Sequence, residues 1–247
     1  MSKPEKNLDQ LLTIYGRKAV EEALLDNSLN IYKLHLADSN KPASILDRCV
    51  RMAEKRGVAV EYHDKRRLSF ISKNAKQDQG IALDIALPNL RALADVSPTQ
   101  HKHLLLLDNV TNPQNVGMII RSVAAGFLDG VIIPEKGCAA LGPLVIKAST
   151  GSIFKAPIFR CKTSEQVIDT LKADYRFLGL SLNSREDFFA EPLASNTVFV
   201  LGNETTGVSD NIARACDKNL IIPMNNGVES LNVAITAALI AFHPALR

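Results

Sequence analysis

Tryptophan is absent from this 247-residue chain, and aromatic residues make up only 5% of it. So few rings do not support a stacking platform for single-stranded nucleic acid. Four cysteines, Cys49, Cys138, Cys161 and Cys216, lie far apart and form no CxxC pair. That spacing argues against a disulfide framework and a cysteine zinc site, and reads as reduced thiols in the cytoplasm. No apolar run approaches the roughly 20 residues of a membrane span. The opening MSKPEKNLDQ has no signal-peptide core, so the expected location is cytoplasmic, with no membrane partner. Nucleotide fingerprints are missing as well. Gly202 and Gly207 stand in G-x-x-x-x-G spacing, which is not the dinucleotide G-x-G-x-x-G, and the Lys-Ser/Thr of a P-loop is not there. No Ser-His-Asp order and no metal-ligand spacing stands out, so no metal is expected.

What is present suits a globular protein. Hydrophobic residues make up 46% of the chain and charged residues 22%. The net charge of +3 is unevenly spread: residues 1–90 carry 15 Lys/Arg against 12 Asp/Glu, and the remainder carries 14 of each. The excess is clustered at Arg48, Arg51, Lys55 and Arg56, then at Lys65, Arg66 and Arg67, then at Lys73 and Lys76. By itself such clustering fits either a solvated helix face or a track for a phosphate backbone.

Residues 1–11 read as a disordered tail. Residues 12–87 read as a small α/β domain. Tyr15-Gly16-Arg17 opens a helix, and strands are expected at 32–36, 58–62 and 81–87. An amphipathic helix over 43–56 ends at Gly57, and a short helix covers 66–72. Residues 88–101, bracketed by Pro88 and Pro98, read as a linker. Over 102–247 strand and helix alternate. Apolar strands are expected at 104–107, 131–133, around 178–180, at 198–201 and at 220–222. Helices are expected near 113–125, 141–149, 164–172, 208–215 and 231–243. A segment after Gly151 also enters a strand. The pattern predicts an α/β fold with a mostly parallel sheet covered by helices.

Three loops of this second region stand out. The first runs from Asp108 to Ser122. Asn112-Pro113 reads as an N-cap with proline at the first helical position, Asn115 follows, and Arg121 projects away from the apolar stripe. A solvated arginine and a phosphate-binding one fit equally here. The second runs from Leu201 to Ser209, where glycines after a strand let backbone approach a ligand and Glu204 offers a carboxylate. The third runs from Leu220 to Ala234, a Pro/Asn/Gly loop between an apolar strand and an apolar helix, with Ser230 as its expected N-cap. Taken singly, each also reads as an ordinary strand-to-helix loop.

Together they resemble the SpoU family of the SPOUT superfamily, RNA ribose 2′-O-methyltransferases. The resemblance rests on Asn115-x5-Arg121, on Leu201-Gly202-Asn203-Glu204-x-x-Gly207-Val208-Ser209, and on Ile222-Pro223-Met224 followed by Glu229-Ser230-Leu231-Asn232-Val233, in that order. Tyr15-Gly16 and Gln79-Gly80-Ile81-Ala82 resemble pieces of the ribosomal-protein-like substrate-binding domain fused in front of such enzymes. The look is that of bacterial enzymes that methylate guanosine ribose in 23S ribosomal RNA. Transfer RNA as substrate is the runner-up, and a non-catalytic RNA-binding or ribosome-assembly factor is the rival of a different class.

The resemblance implies a C-terminal trefoil knot, a homodimer packed through it, and S-adenosylmethionine as cofactor. By position Gly202, Ile222 and Leu231 would bind the adenosine, with Met224 and Gly207 nearby. The catalytic set would be Arg121, Asn115, Glu204, Ser230 and Asn232, with Arg121 able to serve the partner chain's site. An arginine stays protonated, so Arg121 is expected to hold phosphate and stabilise developing charge rather than act as a base. Under this reading the basic clusters, Arg48, Arg51, Lys55, Arg66 and Arg67, contact RNA. Glu229 departs from the small residue common among close relatives and puts a carboxylate near an RNA site.

Overall fold

The structure, a computed structural model, describes residues 11–27, 29–74, 76–87, 89–193 and 195–247. The chain divides into two units, one up to residue 88 and one from residue 89.

In the first unit the order is β1 (Leu11–Tyr15), α1 (Arg17–Leu25), β2 (Ile31–Ala37), α2 (Ser44–Lys55), β3 (Ala59–His63), α3 (Lys65–Ser72) and β4 (Ile81–Ala86). The strands make one sheet in the order β1-β4-β2-β3. β2 and β3 are parallel, and the other pairs are antiparallel. Ile14, Leu34, Leu83 and Ile85 are fully buried in it. α2 buries Leu46, Cys49 and Ala53 as its periodicity demands. It ends as expected at Gly57, whose φ of 66° is left-handed. The Gly57 amide donates to the Glu54 carbonyl and the Val58 amide to the Ala53 carbonyl, both at 2.9 Å, which closes a Schellman motif.

β1 was not expected. Its five residues alternate in burial, a pattern too short to separate from a tail by sequence. Residues 1–10 of the expected tail lie outside the described residues, and Leu11 belongs to the strand.

The second unit runs β5 (Leu90–Ala92), β6 (His103–Leu107), α4 (Pro113–Ala125), β7 (Gly130–Pro134), α5 (Pro143–Ser149), β8 (Ile158–Cys161), α6 (Ser164–Leu171), β9 (Arg176–Leu180), β10 (Thr197–Leu201), α7 (Asp210–Ala215), β11 (Lys218–Leu220) and α8 (Val233–Ala241). Its seven strands are ordered β11-β9-β10-β6-β7-β8-β5, and every adjacent pair is parallel. The four central leucines of β6 are fully buried, as are Val198, Phe199 and Val200 of β10. A strand covered on both faces needs such a continuous apolar run.

Three readings are corrected. The expected linker 88–101 contributes β5, an edge strand hydrogen-bonded to β8, followed by a 3-10 turn at Leu93–Asp95. Three residues carry no readable period. The strand expected at 220–222 ends at Leu220; Ile221 makes one isolated bridge to Asp187, and Ile222 is already in the loop. The cap of the last helix is Asn232, not Ser230: the Asn232 carboxamide oxygen accepts from the Ala234 amide at 2.8 Å. Asn is as good an N-cap as Ser, so both positions satisfy the sequence rule.

Helix contacts in this unit need small residues. A Cβ on Gly117 of α4 would lie 2.6 Å from the Val145 carbonyl oxygen of α5. One on Gly126 would lie 2.4 Å from the Ala241 carbonyl oxygen of α8.

Burial holds three histidines of this unit, His101, His103 and His243, below the ordinary imidazole pKa of 6.5. Two of them also use a ring nitrogen as an acceptor: His101 Nδ1 from the Ser97 amide at 3.0 Å and His243 Nδ1 from the Ala245 amide at 3.3 Å. Between the lowered folded pKa and 6.5 the unfolded chain binds more protons, so stability falls as pH falls through that window. Urea midpoints measured from pH 7.5 to 5 are expected to drop, most steeply below pH 6.5. A flat profile would show these rings titrating alike in both states.

Candidate active site

The three loops singled out by sequence meet at the carboxyl ends of β6, β10 and β11. β6 and β10 are neighbours at the point where the chain turns from building one half of the sheet to building the other. In open α/β sheets ligands bind at such switch points. A cavity of about 610 Å³ opens there, within the size range of small-molecule sites.

Gly202, Gly207, Ile222, Met224 and Leu231, the five positions expected to bind cofactor, all line it. So do Glu204 and Ser230. The floor is apolar, from Leu180, Leu201 and Leu220, and Asp210 and Glu204 add carboxylates.

The β10 loop folds back on itself. Asn203 and Gly207 form an antiparallel bridge, donating to each other's carbonyls at 3.0 and 2.9 Å. A Cβ on Gly202 would fall 2.0 Å from the Gly207 carbonyl carbon and 2.1 Å from the Val208 amide nitrogen. Only glycine fits, because the obstructing atoms are backbone.

Asn115 ties the loops together. It is buried on α4, its side-chain amide donates to Glu204 Oε1, and its Oδ1 accepts from Asn232 Nδ2 at 3.2 Å. One side chain therefore links the first loop to the second and the third. Arg121 is not part of this relay. It lies six residues further along α4, about 9 Å along the axis at 1.5 Å per residue. It is exposed and has no hydrogen bond or ion pair among the described residues. Glu229 is exposed and does not line the cavity.

Sequence reading passed over Asp108. It sits buried at the end of β6, and its carboxylate accepts from Ser164 Oγ at 2.8 Å, the Ser209 amide at 2.8 Å and Ser209 Oγ at 2.7 Å. It fastens the end of the β10 loop and the start of α6 to β6. An acidic residue directly after an apolar strand was the only signal available. Asp108→Ala removes the acceptor of these three donors and of Asn109 Nδ2 at 3.3 Å, so a loss of about 3 kcal/mol in unfolding free energy is expected. Chemical denaturation of the variant measures it.

In the first unit the expected RNA contacts sit on two helices. Arg51, Lys55 and Arg66 are exposed, Arg48 is paired to Glu21 at 2.7 Å, and the Arg67 guanidinium lies 5.6 Å from the Phe70 ring. A separate cavity of about 510 Å³ is rimmed by Lys65 and Lys76 of the basic clusters together with Arg17 and Lys41, which lie outside those clusters. The fold gathers them from four different segments.

Comparison with known proteins agrees with this division. Residues 102–242 match the model of the SpoU rRNA methylase family, and residues 13–90 match that of the RNA 2′-O ribose methyltransferase substrate-binding domain. The chain belongs to the SpoU methylase family. It is an S-adenosylmethionine-dependent RNA 2′-O-methyltransferase. A relative from Staphylococcus saprophyticus, named as a candidate TrmH family tRNA/rRNA methyltransferase, is 32% identical over 238 residues, covering 94% of each chain. The fold is similar to that of an AdoMet-bound rRNA methyltransferase from Sinorhizobium meliloti, with TM-score 0.63, 23% identity, and 95% of this chain and 86% of that one covered. It is equally similar to the SpoU methyltransferase AviRb from Streptomyces viridochromogenes, with TM-score 0.63, 23% identity, and 96% and 89% covered. The SPOUT-type sheet expected from sequence is thus the fold of this SpoU enzyme.

The cavity suits the cofactor on its own chemistry. Its apolar floor accommodates an aromatic base, the tight Gly202 loop presents backbone polar groups, and the Glu204 carboxylate complements a sulfonium charge.

Proposed function

We propose that this SpoU enzyme methylates the 2′-hydroxyl of a guanosine in 23S ribosomal RNA. The Asn115 relay that joins the three loops is the observation that carries the site assignment. Bound S-adenosylmethionine supplies a methyl group activated by its positive sulfur. Gly202, Ile222 and Leu231 hold the adenosine, with Gly207 and Met224 beside them. Asn115, Ser230 and Asn232 position the ribose and the loop, and Glu204 orients the site through its contact with Asn115. In-line approach of the hydroxyl to the methyl is then a matter of positioning. Arg121 binds the target phosphate and stabilises charge as the hydroxyl loses its proton.

The chain works as a homodimer in this proposal, with its C-terminal segment closed in a trefoil knot. α8 supports the dimer. Its sequence VAITAALIA is apolar or small on every side but for one threonine, and Ile235 is 52% exposed. Phe242, Phe127 and Met118 are exposed with it. A helix without a polar face belongs in an interior, and a second copy provides one. The exposed Arg121 on neighbouring α4 then serves the partner's cavity.

Ribosomal RNA is favoured because a separate substrate-binding unit with a cationic cavity precedes the methylase unit. Transfer RNA is the second reading, since relatives are named for both. Labelled methyl transfer to deproteinised ribosomal RNA and to transfer RNA in parallel, followed by mapping, decides between them. Label in transfer RNA alone would refute the ribosomal assignment.

A further inference from the structure

The first unit holds a polar network that methyl transfer does not use. It runs across one face of the sheet, with a residue from every strand. Thr13 of β1 donates from Oγ1 to Asp84 Oδ1 at 2.6 Å. Asp84 of β4 faces His35 of β2, with Oδ2 at 3.0 Å from Nε2. His35 Nδ1 lies 2.9 Å from His63 Nε2, on β3. Glu61, two residues before His63 and so on the same face of β3, has Oε2 3.7 Å from His63 Nε2. Its other oxygen takes Lys33 Nζ at 2.6 Å.

One ligand atom each from His35, Glu61 and His63 falls within 4.8 Å of the others. From these positions we infer that His35 Nδ1, His63 Nε2 and Glu61 Oε2 form a binding site for a zinc-class divalent cation.

Three features support it. The first is spacing. A tetrahedral zinc ion with ligand bonds of about 2.0–2.1 Å places its ligand atoms about 3.3 Å apart. The two imidazole nitrogens need to separate by only about 0.4 Å to reach that distance. The second is the outer support. A carboxylate only accepts hydrogen bonds, so Asp84 fixes the His35 proton on Nε2 and leaves the Nδ1 lone pair aimed at the site. A histidine ligand backed by a carboxylate is the usual arrangement at zinc sites. Asp84 is in turn held by Thr13. The third is access. His35 is buried, while His63 and Glu61 side chains are 14% and 46% exposed, and β3 is an edge strand. The ion enters from that edge and keeps a fourth position for water.

Two nitrogen donors and one carboxylate select zinc, cobalt or nickel over magnesium and calcium, which take oxygen. His63 releases its Nε2 to the metal by carrying its proton on Nδ1 instead. The ion would replace the direct contact between the two rings and rivet β3 to β2. Cysteine spacing could not reveal the site, because His35 and His63 are 28 residues apart and only the parallel register of β2 and β3 brings them together.

The test uses the full chain. Calorimetric titration with zinc is expected to show one saturable site of micromolar or tighter affinity, with no matching heat from magnesium. Cobalt should give visible absorption of a tetrahedral nitrogen and oxygen site, without the near-ultraviolet band of a thiolate. Zinc should raise the melting temperature. Glu61→Gln and His63→Gln should weaken binding at least tenfold, and Asp84→Asn by about 10- to 100-fold through the His35 proton. Glu61 is half-exposed, so its variant keeps the fold even if Asp84→Asn loosens the sheet. The inference is overturned by absence of saturable zinc binding, by unchanged affinity in Glu61→Gln and His63→Gln, or by a thiolate band that assigns the metal to cysteines.

Discussion

Replacing Arg121 with alanine is expected to lower methyl transfer about 100- to 1,000-fold while leaving cofactor affinity unchanged. The expectation follows from where the side chain is. Arg121 is exposed on α4, unpaired among the described residues, and does not line the cavity that the five cofactor positions share. A guanidinium with no partner in its own fold is available to a phosphate. Its removal disturbs no contact that shapes the cavity. Single-turnover methylation gives the rate, and calorimetry with S-adenosylmethionine gives the affinity. Normal turnover in the variant would remove Arg121 from the site. Loss of cofactor binding would make it a structural residue instead.

Gly202→Ala is expected to do the reverse, weakening cofactor binding about 100-fold, on the scale of the roughly 1–3 kcal/mol that overpacking costs. The new methyl group would fall 2.0 Å from the Gly207 carbonyl carbon. Nothing flexible can yield, because Gly207 and Val208 obstruct with backbone. The Asn203–Gly207 bridge must open, and with it goes the wall that carries Glu204.

The two variants also test each other. If Arg121 serves the partner's cavity, a dimer of one Arg121→Ala chain and one Gly202→Ala chain has one complete site. At a cofactor concentration that fills the wild-type site but not the Gly202→Ala site, random mixing of the two variants should then recover about a quarter of wild-type activity, since half the dimers are mixed and each has one site of two. If Arg121 serves its own chain, mixing recovers nothing.

Much of this arrangement was legible from residues. The apolar runs at 104–107, 131–133 and 198–201 could only be buried strands, and all three are. Asn112-Pro113 announced the start of α4, where the Asn112 side chain accepts from the Gln114 amide. The five cofactor positions expected from resemblance all line one cavity. What escaped is of two kinds. β1, β5 and the early end of β11 are three to five residues long, and their boundaries are set by pairing partners far away in sequence. Asp108, the Asn115 relay and the His35–His63 pair depend on side chains from distant segments converging. Periodicity and local spacing do not record such meetings.

The parallel pairing of β6 with β10 also sets a timetable for the newborn chain. His103 pairs with Thr197, 94 positions later. Parallel pairings across such separations form slowly, since a long loop must close before the contact is rewarded. At synthesis rates of about 5–20 residues per second, β6 waits roughly 5–20 s for its central neighbour to emerge. Throughout that interval its leucines present one open, apolar edge. The first unit is complete long before then, since its four strands pair only with one another. Chains truncated before residue 197 should therefore carry a folded first unit joined to an aggregating remnant.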